Sequence, residues 1–396
     1  MPEDDRRRRL KALALATAAF FTCFFVWALY GPLSPALQQD LKLSEVQVGW
    51  LVAIPVILGS LMRVPMGVLT DRYGARRTFP PLMGFTTLTL LALAVWHSSF
   101  AALIGFGFLM GFAGASFAVG VPYVSRWYPK GQQGFALGIY GMGMGGTVLT
   151  GLAAPVVAQT WGLGAPFLVG GLLVLLVGLV FFLFAEEPPA PRPIVTHWLA
   201  PFKVFAHEPR AWALTLFYFV AFGGFVAMFL YLPKLLVSVH QLTRPDAGAR
   251  AAGFALLAVL ARPLGGYLSD RFSAQKVLYV SFVGTAILAG VLALEYQSMV
   301  PLTISCLSMA VMLGLGTGAV FKLVAGEFPA QVGVVTGVVG AAGGLGGFFP
   351  PLVMASVKSA TGSYAIGFDL LAAAALVCTV VLWGIRSGAP VPGDRS

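Results

Sequence analysis

Twelve long apolar stretches, separated by short breaks that contain charges and turn residues, run through almost the whole chain. Each is close to the roughly 20 residues that a helix needs to cross a bilayer. Their length and hydropathy predict an all-α membrane protein with twelve transmembrane helices. The predicted spans are residues 12–33, 46–69, 79–97, 100–125, 133–157, 164–184, 211–236, 247–269, 275–296, 299–326, 331–356 and 364–385.

The composition excludes the classes of protein that fold in water. Of the 396 residues, 58% are hydrophobic and only 10% are charged, and the mean hydropathy is +0.86. So few charges cannot cover a soluble surface, and disulfide-scaffold, collagen and disordered classes are excluded as well. Arginines precede the first span as in a signal peptide, but its apolar stretch is too long and no small-residue cleavage site follows, so we expect a retained helix.

Lys and Arg between the spans predict the orientation of the chain. With the N-terminus inside, 17 of these residues lie on the cytoplasmic side and 5 on the other side. Because positively charged loops stay inside, we expect both termini to be cytoplasmic and the protein to be multi-pass in a bacterial cytoplasmic (inner) membrane. Topology then explains the formal charge of +10, and we expect no nucleic-acid partner.

Residues 185–210 form the longest polar break, and they contain prolines and charges of both signs. This composition is typical of a linker. We therefore expect an N-terminal six-helix half over residues 1–187, a cytoplasmic linker over 188–210 and a C-terminal six-helix half over 211–396.

The two halves repeat each other in sequence. Residues 63–72 read RVPMGVLTDR and residues 262–271 read RPLGGYLSDR, so Arg, Gly, Asp and Arg recur at an offset of 199 residues. Glycines of the fifth span fall on glycines of the eleventh span at the same offset. Parallel six-helix repeats with a site between them are a transporter architecture. The paired glycines are Gly138 and Gly337, Gly141 and Gly340, and Gly145 and Gly344.

The first copy, GVLTDRYGARR over residues 67–77, resembles the cytoplasmic loop motif of the major facilitator superfamily. Asp270 and Arg271 resemble its degenerate second copy. The resemblance covers essentially the whole chain and implies the major facilitator fold, with two pseudo-symmetric halves. It also implies that Asp71, beside Arg72, meets a helix terminus and a basic partner across the halves and stabilises an outward-facing state. On the residues alone, the alternative is that Asp71 belongs to a solvated charged loop.

Arg63 and Arg262 occupy equivalent places deep in the second and eighth spans. Each lies eight residues before the loop aspartate, which is about 12 Å along a helix. An arginine at the bilayer centre costs about 2.5–3.5 kcal/mol even on the lenient insertion scale, so it is a functional candidate by default. The alternative is a structural arginine that bonds to carbonyls or snorkels, and the symmetry of the pair favours function.

The charge of this pair predicts what it binds. No Asp or Glu lies clearly within a span core: Asp71, Asp270 and Glu327 are at span ends, and Asp369 is only about a turn inside the last span. The counter-charge must then come from a ligand, so the substrate should be an anion. A guanidinium presents two parallel donors, which suits a planar oxyanion such as nitrate or nitrite. Phosphate or a carboxylate would satisfy the same charge argument.

Lys322 is a third possible intramembrane cation, in the tenth span. It lies nearer the cytoplasmic end, where a lysine can snorkel. Its alternative role is coupling of transport to protons, through a lowered pKa.

The glycines of the fifth and eleventh spans let helices approach closely. Tight packing alone would explain them, and rocking against the arginine-bearing helices is a compatible functional role.

Two further segments resemble the signatures of the nitrate/nitrite porters: residues 111–130, which begin GFAGASF and end RWYPK, and residues 333–348, GVVTGVVGAAGGLGGF. The resemblance implies that Arg63 and Arg262 clamp the anion from opposite halves. It implies that Phe117 and Phe222 sandwich the planar ion and that the Tyr218 hydroxyl is an added donor. An aromatic residue in an apolar span is otherwise usually packing. Family members often carry asparagines in the fifth and eleventh spans, and this chain has none.

These features predict nitrate/nitrite antiport by rocker-switch alternating access. Without an anion, closing the halves would bring two bare cations together at low dielectric, which is several kcal/mol worse than with an anion between them. Only a loaded carrier should then cross between states. Proton symport needs a titrating group, and the four histidines lie in loops or at span ends. A nitrate–proton symporter or a carrier of another small anion are the alternatives.

Other classes fit less well. An anion channel would also use buried arginines, but the repeat and the loop motif argue against it. The chain has no HExxH, CxxC or GxSxG motif, so we expect no enzyme, metal or cofactor. Cys23, Cys306 and Cys378 match no metal spacing and are expected to form no disulfide. The family resemblance implies a functional monomer in the lipid bilayer.

Overall fold

The computed structural model describes residues 3–188, 203–361 and 363–387. These residues are almost entirely helical, and no strand occurs among them. The predicted all-α membrane architecture is confirmed. The predicted linker falls mostly on residues outside the described ranges, and of its C-terminal part a short helix, Lys203–His207, is described.

Twelve long helices, labelled α1 to α12 in chain order, correspond one to one to the predicted spans. Eleven are long and apolar enough to cross a membrane, and α11 contains a shorter apolar stretch, Val332–Gly347. The helices are α1 (Asp4–Leu41), α2 (Val46–Tyr73), α3 (Ala75–Trp96), α4 (Phe100–Trp127), α5 (Lys130–Trp161), α6 (Ala165–Phe184), α7 (Pro209–His240), α8 (Arg244–Arg271), α9 (Ala274–Glu295), α10 (Met299–Glu327), α11 (Val332–Thr361) and α12 (Ala365–Ser387).

Four helices of the N-terminal half are interrupted near mid-span. The regular α-helix of α1 stops at Trp27 and resumes at Tyr30, and that of α2 restarts at Arg63. Tight 3₁₀ turns interrupt α4 at Gly111–Ala115 and α5 at Met142–Gly145. The equivalent helices of the C-terminal half, α7, α8, α10 and α11, are each continuous. Glycine weakens a helix, but α11 is equally glycine-rich, so glycine content alone does not explain the breaks.

Large apolar side chains cover the outer surface of the bundle. Leu88, Leu152, Leu294 and Trp383 lie on four different helices, and each is well over half exposed. An apolar surface of this extent is not stable in water. It is the surface that lipid chains would solvate, as the composition requires.

The halves pack against each other along two pseudo-symmetric seams, the α2–α11 seam and the α5–α8 seam. In the first, Gly67 and Gly333 lie backbone to backbone, and in the second, Gly134 and Gly266 do. A Cβ on any of these glycines would run into the facing main chain. The two halves are therefore closed against each other at the end of the bundle that holds the α2–α3 and α8–α9 loops, which we call the motif end.

Candidate functional site

Arg63 is buried where α2 resumes, and it is held by main-chain carbonyls. Its side chain reaches α4, where Nε donates to the carbonyl of Gly114 at 3.1 Å. Its Nη1 donates to the carbonyl of Gly340 on α11, in the opposite half. The residue is 2% exposed, so the charge is withdrawn from water and its donors are directed at the interface between the halves.

Arg262 repeats this arrangement from the other side. It is 4% exposed on α8, and its Nη1 donates to the carbonyl of Gly141 on α5 at 3.1 Å. Gly141 and Gly340 are 199 residues apart, like Arg63 and Arg262. Each arginine thus bonds to the repeat-related glycine of the opposite half. The side chain of Arg262 also lies within hydrogen-bonding reach of the Tyr218 side chain, and its Nη2 makes no well-aligned hydrogen bond to the described residues.

Both guanidinium groups lie over one aromatic ring and share no carboxylate. The Cζ atom of Arg63 is 5.9 Å and that of Arg262 5.8 Å from the ring centroid of Phe222. This geometry is a cation–π contact. Among the described residues, no Asp or Glu is within ion-pair distance of either arginine. Two buried positive charges therefore converge where no protein anion balances them.

The three aromatic residues implied by the family resemblance come together beside the arginines. Phe117 of α4 faces Tyr218 of α7, with centroids 6.2 Å apart and an interplanar angle of 5°. Tyr218 in turn stacks on Phe222 at 5.2 Å and 12°. Phe117 is therefore nearly parallel to Tyr218, while Phe222 stacks on Tyr218 and lies against the arginines. The ring contacts of Phe117 with Tyr218 and with Phe321 join the halves here.

The paired glycines lie along the arginine-bearing helices. Gly138 faces the backbone of α8 at Arg262 and Pro263, and Gly337 faces that of α2 at Arg63 and Val64. The next members approach the arginine side chains: a Cβ at Gly141 would lie 3.3 Å from Cδ of Arg262, and one at Gly340 would lie 3.2 Å from Cδ of Arg63. The third pair departs from symmetry, since a Cβ at Gly145 would make only ordinary contacts, whereas one at Gly344 would clash with the Ser60 side chain.

At the motif end, Asp71 joins the two halves. Its Oδ2 accepts a hydrogen bond from the amide of Val334, in the first turn of α11, at 3.1 Å. Its Oδ1 is 2.5 Å from Nη2 of Arg126. A carboxylate at a helix N-terminus is stabilised by the free amides and the helix dipole. The helix terminus belongs to the opposite half, as the resemblance implies, whereas the basic partner, on α4, belongs to the same half as Asp71.

Asp270 forms the equivalent contact at the α5–α8 seam. Its two oxygens accept from the amides of Gly134 at 3.0 Å and Phe135 at 2.8 Å. Lys322 of α10 places Nζ 2.6 Å from Oδ1 of Asp270 and also donates to the carbonyl of Lys130. Lys322 is therefore ion-paired at the motif end rather than a bare cation in the core.

The arginines that follow the two aspartates are exposed and lie over neighbouring rings, Arg72 over Tyr73 and Arg271 over Phe272.

Sequence reasoning missed two contributors to this region. Phe321 is buried edge-on against Phe117 and Tyr218, and nothing in the sequence separates it from the other 30 phenylalanines except that it precedes Lys322. The Gly114 carbonyl is a backbone group and carries no side-chain signal. The repeat does not extend to the basic partners, because position 325, the equivalent of Arg126, is alanine. Lys322 lies about one turn before it.

Comparisons with known proteins identify the family. A model of the Major Facilitator Superfamily matches residues 15–351, and a second match covers residues 236–395. The probable nitrate/nitrite transporter NarK2 of Mycobacterium tuberculosis is 41% identical over 389 residues, which cover 97% of this chain and 98% of that protein. The nitrite extrusion protein of Bacillus subtilis is 41% identical over 377 residues, 94% of this chain and 93% of the relative.

Solved structures support the fold. The crystal structure of the human organic anion transporter MFSD10 (TETRAN) superimposes with a TM-score of 0.79, covering 94% of this chain and 99% of that one, at 16% sequence identity. At this identity the likeness concerns the fold alone. With the family model, the close relatives, the twelve helices and the paired arginines together, the chain belongs to the nitrate/nitrite porter family of the major facilitator superfamily.

Proposed function

We propose that the protein carries nitrate and nitrite across the bacterial cytoplasmic membrane and that Arg63 and Arg262 bind the anion. The observation that carries this proposal is the pair of buried guanidinium groups from opposite halves, near which the described part of the chain places no carboxylate. A planar anion beside Phe222 would accept hydrogen bonds from the parallel N–H groups of a guanidinium. Several small anions could neutralise this positive charge. The names of the relatives favour nitrate and nitrite.

The transport mode we propose is obligatory exchange of nitrate for nitrite by rocker-switch alternating access. Repacking of the halves moves both arginines through a low-dielectric environment, where uncompensated like charges repel strongly. A bound monovalent anion lowers the net charge of the site from two to one. The loaded carrier therefore crosses between its two states more readily than the empty carrier does, and the protein acts as a carrier rather than an enzyme.

We propose that the motif end faces the cytoplasm, because basic residues concentrate there. Both termini would then be cytoplasmic, and closure of the two seams corresponds to an outward-facing arrangement. We also propose that the protein functions as a monomer, as the family resemblance implies.

The test is nitrate uptake into proteoliposomes that contain the purified protein. Vesicles loaded with nitrite are compared with vesicles that hold no permeant anion, with and without an inward proton gradient. We expect uptake only into the loaded vesicles. An Arg63→Gln variant provides the inactive control in the same assay.

Other results would favour the alternatives. Uptake into anion-free vesicles that follows the proton gradient would mean nitrate–proton symport and would contradict obligatory exchange. Failure of nitrate and nitrite to exchange, together with uptake of phosphate or a carboxylate, would identify a carrier of another small anion.

A further inference from the structure

Phe321 of α10 touches aromatic residues of both halves at the proposed anion site. Its ring meets that of Phe117, in the N-terminal half, edge-on at 4.7 Å and 73°. It meets Tyr218, in its own half, at 4.6 Å and 76°. The side chain is only 4% exposed. Any change in the spacing of the Phe117 and Tyr218 rings is therefore transmitted by direct contact to Phe321.

The next residue, Lys322, fastens the α5–α8 seam. It pairs with Asp270 of its own half and donates to the Lys130 carbonyl of the opposite half. Asp270 itself caps the first turn of α5. Lys322 thus makes one direct hydrogen bond between the halves. It also holds the Asp270 carboxylate, which accepts two further hydrogen bonds from α5 of the opposite half.

These two contacts are rigidly connected through the helix. Consecutive residues of an α-helix point about 100° apart and are fixed by the same turn, so α10 cannot shift the Phe321 ring without shifting Lys322. The other seam lacks this arrangement. There the cation is Arg126, and the preceding residue, Ser125, donates to the Pro122 carbonyl of its own helix instead of contacting the site.

We propose that Phe321 and Lys322 form a coupling pair that links occupancy of the aromatic site to the α5–α8 seam. An anion seated between the halves displaces the rings that contact Phe321, and the resulting shift of α10 loosens the bonds of Lys322. Both are positioning residues, since neither needs to touch the anion. The identity of the anion as nitrate rests on the proposed function, whereas the fastening role of Lys322 does not.

Chemical cross-linking across the seam tests the pair in full-length protein in liposomes. Phe135 and Tyr267 lie in ring contact across the α5–α8 seam and are both exposed, and the three native cysteines are buried. Cysteines at these two positions, bridged by a short bifunctional thiol reagent, report the closed seam. In this background we expect nitrate to slow cross-linking.

The two members of the pair should fail in different ways. Lys322→Gln should slow cross-linking about tenfold without any anion, as loss of a hydrogen bond to a charged group predicts. Lys322→Arg should restore the rate. Phe321→Ala should cross-link at the parental rate but lose its response to nitrate, and Phe321→Leu provides a milder variant if the alanine variant does not fold.

Matched controls are Lys276→Gln, at an exposed lysine of the same half, and Phe282→Leu, at an equally buried ring away from the site. Both should behave like the parent. An unchanged rate in Lys322→Gln, or a full nitrate response in both Phe321 variants, would overturn the coupling pair. Absence of a nitrate response in the parent protein would instead count against the proposed substrate, and the anion-free Lys322→Gln comparison would still decide the fastening role.

Discussion

At the scale of single residues, the two arginines are equivalent by repeat but differ in available donors. Arg63 bonds through Nε and Nη1 to carbonyls on two helices. Arg262 bonds through Nη1 to one carbonyl and lies within hydrogen-bonding reach of the Tyr218 side chain, and its Nη2 makes no well-aligned hydrogen bond to the described residues. Because an unsatisfied buried donor is costly, Arg262 has more to gain from an anion than Arg63 has.

This difference predicts that Arg262→Lys impairs nitrate binding even though the charge is kept. An ammonium group lacks the planar fork, so the KM for nitrate should rise about tenfold or more, the equivalent of roughly 1.4 kcal/mol. Initial rates of nitrate/nitrite exchange measure it. Arg250→Lys, the same change at an exposed position of the same helix, should leave KM unchanged. A near-normal KM in Arg262→Lys would defeat the proposed planar recognition.

At the scale of helices, the seams depend on glycines that face main chain. A Cβ at Gly266 would meet the backbone of Gly134, which cannot turn aside as a side chain can. Gly253, on the same helix, has open space around it. The two positions therefore separate the effect of the seam from the general effect of glycine in a helix.

We expect Gly266→Ala to slow exchange about tenfold or more, because overpacking of 1–3 kcal/mol is placed on the closed seam. Gly253→Ala should keep full exchange and raise the thermal stability slightly, since alanine favours helix more than glycine does. Exchange rates and melting temperatures of both variants provide the measurement. Equal activity of the two variants would mean that the α5–α8 seam need not close as tightly as it does here.

At the scale of the whole molecule, exchange of one monovalent anion for another moves no net charge. We therefore expect nitrate/nitrite exchange to be insensitive to a potassium–valinomycin potential of either sign. A step that moved one net charge would respond strongly, because each elementary charge gains about 2.3 kcal/mol per 100 mV. The final ratio of internal to external nitrate at inside-negative, zero and inside-positive potential provides the test. A potential-dependent ratio would show that another ion accompanies the anion.

The sequence by itself determined the features that depend on local composition and on the repeat. Twelve apolar lengths specified twelve helices, because the bilayer sets the required length. The 199-residue offset paired Arg63 with Arg262 and Gly141 with Gly340 before any contact was known. The two arginines lie in spans without a core carboxylate, and this pointed to an anionic substrate. The reason is that removing a charge from water is costly in any fold unless a counter-charge is supplied.

Only the tertiary structure decided which residues meet. That each arginine bonds to the repeat-related glycine of the opposite half, and that Lys322 pairs with Asp270, depends on helices brought together from far apart in the chain. The breaks in the N-terminal helices likewise have no counterpart in equally glycine-rich α11. Apolar length and residue spacing encode a span and its symmetry, but side-chain partners across helices follow from rotation and packing, which the linear pattern leaves open.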